Sequence, residues 1–192
     1  MRTVKSLIIT LAICLTAVTA NGDQATDQLK EKLLMQLAAA QSESEGREAE
    51  AKVWEFWFNE SPNAEVRRLL DAGRERLQAY DFEAAENHLN EVVKAAPDYA
   101  EGYNQRAFAR FLRENFSESL TDLEKALELE PDHFGAMAGM YQILRIQNRT
   151  PAAMEVLRRA VIIHPWIKER GALPKDMRPE AYQKLHEEGQ EI

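Results

Sequence analysis

Histidine and acidic side chains are the residues best suited to metal binding or acid–base catalysis, and their spacing in this chain argues against both. The four histidines are His88, His133, His164 and His186. No two of them stand four residues apart on one helix, and none belongs to an H-E-x-x-H ligand pattern. We therefore expect all four to be solvated surface residues, and we expect no bound metal and no cofactor.

Motifs for other kinds of catalysis are also missing from the sequence. It contains no G-x-S-x-G, no phosphate-binding loop and no dinucleotide fingerprint. The sole cysteine is Cys14, so a disulfide framework cannot form. Asp and Glu are mixed with Lys and Arg, as on the faces of solvated helices. We expect the protein not to be an enzyme.

Three arginines share one face of a predicted helix, because Arg106, Arg110 and Arg113 lie at i, i+4 and i+7. They could form an anion-binding site, or they could bridge neighbouring helices by pairing with acidic side chains. Buried arginine is costly unless it is paired, so we favour bridging. The acidic candidates for such pairs are Asp81, Glu83 and Asp122.

Aromatic residues are concentrated in the segment from Trp54 to Phe58. At 100° per residue, Trp54, Trp57 and Phe58 share one arc of a helix while Phe56 points away from it. The first three are candidates for a core. Phe56 then needs a second partner, which is either the preceding helix or another molecule, and we favour core packing on both sides.

Length and composition indicate one globular domain with at most an appendage. The chain has 192 residues, of which 45% are hydrophobic and 29% charged. With 24 basic and 32 acidic residues its net charge is −8, and it has no Lys/Arg run. Phosphate contacts supply most of the affinity for nucleic acids, so an acidic chain is a poor nucleic-acid binder and we expect no nucleic-acid partner.

The first twenty residues have the layout of a secretory signal peptide. Arg2 and Lys5 precede an uncharged apolar run of 12 residues from Leu7 to Val18, and small residues follow up to Ala20. We expect cleavage after Ala20 and no membrane insertion afterwards. A retained membrane anchor is the alternative, although the run is short for a membrane span. The expected location is the bacterial periplasm or another secretory space, with the periplasm favoured.

Four sets of residues recur with a period of 34 positions, which indicates a repeat protein. They are Pro97, Pro131 and Pro165; Leu89, Leu123 and Leu157; Val92, Ala126 and Ala160; and Ala85, Ser119 and Ala153. Apolar residues within each unit follow helical spacing and predict two helices per unit. Asp98 and Asp132 directly follow two of the prolines, where they are predicted to cap the next helix.

The second unit, residues 100–133, resembles a tetratricopeptide repeat. It begins with Ala-Glu-Gly-Tyr, has Ala107 at the small eighth position, and ends with the segment from Leu123 to Pro131. The resemblance implies an all-α fold in which helix-turn-helix repeats form a right-handed superhelical stack. The expected units are residues 66–99, 100–133 and 134–167.

Two further segments flank these three units. Residues 21–65 are predicted to form an N-terminal helical hairpin, which is either a degenerate repeat that caps the stack or an unrelated hairpin. Residues 168–192 are predicted to form a C-terminal cap and tail, with a helix that restarts at Pro179.

The resemblance also implies where a partner binds, since the first helix of each repeat lines the concave face in this family. Gly135 and Gly139 leave space there for a side chain of the ligand, and Phe108 supplies an apolar anchor. The candidate groove residues are Arg67, Leu70, Arg74, Asn104, Gln105, Phe108, Phe111, Gln142 and Arg145.

Some family members grip a C-terminal carboxylate with Lys and Asn side chains at set points of the groove. The corresponding positions here are Leu70, Arg74, Gln105, Gly135 and Gly139. Arg74 alone among them carries a charge, so we expect that clamp to be absent.

We therefore expect a non-enzymatic protein–protein interaction module, an adaptor or scaffold in the cell envelope, that binds a protein or peptide segment of unknown identity in its concave groove. The alternative is a structural subunit that forms homo-oligomers through its end helices or the Phe56 surface. A third possibility is an accessory factor for envelope assembly, as in the periplasmic repeat domains of cytochrome c maturation.

Overall fold

The structure, a computed structural model, describes residues 24–175 and 178. These residues form eight α-helices and one short 3-10 helix, so the predicted all-α fold is confirmed. The α-helices are α1 (24–38), α2 (Glu43–Asn59), α3 (Ala64–Gln78), α4 (Phe82–Ala95), α5 (Ala100–Leu112), α6 (Phe116–Leu129), α7 (Phe134–Ile146) and α8 (Thr150–Ile163), and the 3-10 helix is Lys168–Ala172. The predicted signal peptide and the helix expected from Pro179 lie outside the described residues.

Helices α3 to α8 pack as three consecutive pairs, α3 with α4, α5 with α6 and α7 with α8. The turns inside the pairs repeat at the level of the backbone. Tyr80, Glu114 and Asn148, spaced 34 residues apart, have φ angles of 60°, 62° and 57°. In each turn the next amide bonds back into the first helix, as Asp81 N does to the Arg76 carbonyl at 2.9 Å. The turn inside each helix pair therefore has the same backbone conformation in all three units, so the period of 34 is visible in the backbone as well as in the core.

The residues that recur in sequence also face the core. Ala85, Ser119 and Ala153 are fully buried, and so are the alanines Ala126 and Ala160 of another column. Small side chains at these positions let neighbouring helices approach closely. The recurring residues are thus those at contacts between helices, whereas the surface residues can differ from one unit to the next.

The predicted aspartate caps of α5 and α7 are wrong by one residue. Asp98 and Asp132 lie in turns that place the following residues, Tyr99 and His133, at the cap positions. The turns are closed by backbone hydrogen bonds, for instance from His133 N to the Glu130 carbonyl at 3.1 Å. His133 Nδ1 then accepts the free Ala136 N–H at 3.2 Å, which is the capping task the sequence assigned to aspartate.

The N-terminal hairpin of α1 and α2 packs on the third repeat. Leu37, Val53 and Trp57 share one apolar cluster with Met137 and Leu157. In the loop between the two helices, the Ala40 carbonyl accepts a hydrogen bond of 2.8 Å from Trp166 Nε1. The hairpin is therefore joined to the C-terminal end of the stack.

Helix α2 also reaches the first repeat. Two backbone carbonyls in its last turn accept hydrogen bonds from this repeat. The Arg67 guanidinium donates to the Phe58 carbonyl at 3.1 Å, and the Tyr99 hydroxyl donates to the Trp57 carbonyl at 2.9 Å. It thus runs along the inner side of the three units and does not merely cover one end. Phe56 is 9% exposed within the core cluster, so core packing is confirmed for it and the proposed self-association surface around it is not available.

Within the described residues, no helix combines the length and the apolar character needed to cross a membrane.

Candidate functional site: a groove between the second and third repeats

A cavity of about 320 Å³ opens between α5 and α7, the first helices of the second and third repeats. Its walls are mostly apolar, with amide side chains and one carboxylate among them. The principal lining residues are Trp54, Asn104, Gln105, Phe108, Phe111, Leu123, Gly135, Ala138, Gly139, Gln142, Ile143 and Glu169. A concave site with mostly apolar walls and a few polar groups is typical of ligand-binding pockets.

Five of the nine predicted groove residues line this cavity, namely Asn104, Gln105, Phe108, Phe111 and Gln142. Phe108 is 50% exposed although it is large and apolar, and its ring faces the cavity. Phe111 also packs against Phe116, with ring centroids 5.8 Å apart. The structure therefore brings these five side chains to one surface, as the family resemblance implied.

The other four predicted groove residues lie elsewhere. Leu70 is fully buried in the core of the first repeat. Arg67 pairs with Asp71 at 3.0 Å, and the Arg74 guanidinium lies 3.9 Å from the centre of the Phe58 ring. Arg145 is exposed, with its guanidinium 5.6 Å from the centre of the Tyr141 ring.

One end of the groove is filled by the chain itself. Gly135, predicted to leave space for a ligand side chain, lies against the indole of Trp54 from α2. A Cβ atom added at Gly135 would come within 2.8 Å of Trp54 Cζ2, which is far inside van der Waals contact. The space that the sequence assigned to a partner is here occupied by an internal side chain, while Gly139 still lines the open cavity.

A buried carboxylate fixes the amides of the groove. Glu101 is 1% exposed and accepts hydrogen bonds from Asn104 Nδ2 (3.0 Å) and Gln105 Nε2 (2.6 Å). His133 Nε2 lies 2.9 Å from the same carboxylate. Because His133 Nδ1 accepts a backbone N–H, the ring carries its proton on Nε2 and donates it to Glu101. Three donors thus satisfy a charge that would otherwise be costly to bury.

The prediction that the histidines are solvated is wrong for two of them. His133 is fully buried and stacks on the Trp57 indole at 4.0 Å, and His164 is 1% exposed. His164 Nε2 lies 3.4 Å from Glu50, and this hydrogen bond holds the pKa of Glu50 below its ordinary value. Both rings lie at turns between repeats, where α2 covers them, and the period could not show that contact.

Arg106, Arg110 and Arg113, at the C-terminal half and cap of α5, bridge helices as predicted, although Glu86 takes the place of the predicted partners Asp81 and Glu83. Arg106 pairs with Asp122 at 2.6 Å, and Arg110 contacts both Asp122 (2.8 Å) and Glu86 (3.0 Å). Arg113 completes the cluster on Glu86. Burial raises the pKa of Glu86, but hydrogen bonds and charges from Arg110 and Arg113 outweigh it and hold that pKa below its usual range. These cations are satisfied on the face of α5 that lies away from the groove.

Groups of three or more His, Cys, Asp or Glu side chains that could hold a metal ion do not occur in the part of the chain that the structure describes.

Comparison with protein families identifies the repeating unit. The family model described as Tetratricopeptide repeat matches residues 100–133, the second unit. The second unit is a tetratricopeptide repeat. A TPR repeat-containing protein of Rhizobium etli is 32% identical over 108 residues, or 56% of this chain. That stretch is 53% of the relative, so the chain spans about half the length of this curated relative.

Solved structures agree with the tetratricopeptide fold. The TPR2B-domain:pHsp70-complex of yeast Sti1 superposes with a TM-score of 0.55 and 22% identity, covering 64% of this chain and 99% of that one. The TPR2AB-domain:pHSP90-complex of yeast Sti1 gives a TM-score of 0.51 at 22% identity, covering 77% of this chain and 53% of that one. These similarities establish the fold.

Sequence reasoning missed two residues that shape the groove, Trp54 and Glu169. Trp54 and Glu169 come from outside the three repeats, so no repeat pattern predicts that they reach the groove.

Proposed function

We propose that this tetratricopeptide repeat protein is an exported, non-enzymatic adaptor that binds a peptide segment of a partner protein in the groove between α5 and α7. The observation that carries the proposal is the half-exposed Phe108 ring beside an open apolar cavity. Large aromatic side chains at the edge of a pocket are typical anchors of protein interfaces.

The amide side chains support recognition of a peptide in particular. Asn104, Gln105 and Gln142 line the same cavity and can exchange hydrogen bonds with an extended backbone. Carboxylates hold all three amides in place, Glu101 for the first two and Glu169 for Gln142 at 3.1 Å. A groove whose polar groups are fixed before binding loses less conformational entropy when a ligand enters.

Site-specific photo-cross-linking in the native host tests this groove. A benzophenone side chain introduced at Phe108 is expected to give a discrete adduct with a partner protein. The matched control is the same group at Ile162, a large apolar residue that is 72% exposed and outside the cavity. Adducts of equal yield at both positions, or at Ile162 alone, would contradict the assignment of the groove.

Export is a separate part of the proposal and rests on the first twenty residues. Fractionation followed by N-terminal sequencing of the exported protein should give a chain that begins at Asn21. A chain that retains Met1 in the membrane fraction would indicate an anchor, and a cytosolic chain that retains Met1 would contradict export.

A further inference from the structure

The charge around the groove indicates what kind of side chain it accepts. Among the described residues that line the cavity, Glu169 is the charged one, and the carboxylate of Glu101 lies directly behind Asn104 and Gln105. Lys168 and Arg170, which flank Glu169 in sequence, do not line this cavity but lie with Glu169 along an adjacent recess. The cavity is therefore bordered by negative charge on two sides.

The orientation of the amide side chains in the groove also favours a positively charged ligand. Asn104 and Gln105 each direct an NH₂ group at Glu101, and Gln142 directs its own at Glu169. A carboxylate only accepts hydrogen bonds, so these contacts fix which end of each amide is the nitrogen. The three carbonyl oxygens then lie at the other corner of each amide, away from the carboxylates, where they can accept hydrogen bonds from a ligand.

We propose that the groove accepts a basic side chain, lysine or arginine, of the bound peptide. This proposal rests on the function proposed above and names the chemistry of the partner. The methylene stem would pack on Phe108 and Phe111, while the charged head would reach the amide oxygens and Glu169. A lysine or arginine supplies hydrogen-bond donors for the amide oxygens and a positive charge for the Glu169 carboxylate.

An acidic or C-terminal carboxylate ligand does not fit the same groove. Of the positions that could clamp a carboxylate, Leu70 is buried in the core, and Arg74 is held by Phe58 and Asp71. Gln105 gives an N–H to Glu101, and Gly135 is covered by Trp54. A carboxylate would therefore meet Glu169 and amide oxygens, and none of the described residues that line the cavity carries a positive charge to balance it.

Capped pentapeptides of sequence Ala-Ala-Xaa-Ala-Ala, with Xaa as lysine, norleucine or glutamate, test the proposal by NMR titration of the mature protein. Norleucine has the lysine stem without its charge. We expect the lysine peptide to shift the amide signals of Phe108 and Gly139 with a Kd at least about fivefold below that of the norleucine peptide, and the glutamate peptide to bind most weakly.

Two variants test whether the Glu169 charge causes the preference for lysine. Glu169→Gln keeps a partner for Gln142 but removes the charge, so it should reduce the lysine preference by about threefold or more. Glu155→Gln, at an exposed position on α8 outside the cavity, is the matched control and should leave the preference unchanged.

Other results of the peptide titration would contradict the proposal that the groove accepts a basic side chain. Equal affinity for lysine and norleucine, or a preference for glutamate, would overturn the proposal while the groove itself remained the binding site. If no peptide shifts the groove signals, the basic-side-chain proposal fails, and the cross-linking at Phe108 separately decides whether the groove binds a partner at all.

Discussion

The two ends of the concave surface differ in what covers them. At the end that α2 covers, the chain's own side chains fill the surface, with Phe58 against Arg74 of the first repeat and Trp54 against Gly135 of the third. At the other end, away from these contacts, Phe108 of the second repeat and Gly139 of the third border an open cavity. Equivalent positions of successive repeats are therefore core or self-contact at one end and a candidate binding surface at the other.

The difference shows that repeat register decides which residues point inward, whereas a segment outside the repeats decides which of them stay accessible. Helix α2 is held at both ends, by Trp166 on the Ala40 carbonyl before it and by Tyr99 on the Trp57 carbonyl within it. The N-terminal hairpin thus sets the boundary of the groove, and substitutions in it should affect the filled end first.

The largest effect is expected from Trp57→Ala in the filled end. Trp57 is 2% exposed, stacks on His133 at 4.0 Å and contacts Phe134, so its loss should lower the free energy of unfolding by about 3–5 kcal/mol. Chemical denaturation measures this. Ile162→Ala is the control and should stay within about 0.5 kcal/mol of the wild type. Similar stability of both variants would show that α2 does not pack on the third repeat.

A smaller effect should separate two glycines of α7. Alanine gains about 1 kcal/mol of helix propensity over glycine at either position. At Gly135 the added methyl group would overlap Trp54, so Gly135→Ala should be net destabilising by about 1–2 kcal/mol. At Gly139 the nearest atoms are the Leu123 methyl groups at 3.3 Å, so Gly139→Ala should be close to neutral. The reverse order of the two variants in a denaturation series would place the filled end elsewhere.

Much of this arrangement was predictable from the sequence. The period of 34 predicted the helix pairs and the buried columns such as Ala85 and Ser119, and the resemblance to tetratricopeptide repeats predicted that Phe108 faces the groove. It could not predict that Trp54 reaches Gly135 or that His133 is buried, because both depend on contacts across about 80 residues between a non-repeating helix and a repeat. Leu70 shows the same limit, since this predicted groove residue is fully buried in the core of the first repeat.

The smallest predicted effect concerns the arginine face of α5 and depends on pH. The pKa of Glu86 is held below its usual range in the folded state, so Glu86 stabilises the fold above its unfolded pKa and loses that contribution as the pH falls through the folded value. Stability should therefore drop between about pH 5 and pH 3. Glu86→Gln should flatten part of that drop, and an unchanged slope would contradict the role of Arg110 and Arg113.

The binding role of the open end is tested most directly by Phe108→Ala, with partner affinity and unfolding measured on the same protein. Since Phe108 is half exposed at the edge of the cavity, we predict a loss of binding of about 2 kcal/mol or more, roughly a thirtyfold rise in Kd for the cross-linked partner. The free energy of unfolding should change by less than about 1 kcal/mol. Unchanged affinity, or a variant that fails to fold, would contradict the assignment of this groove as the binding site.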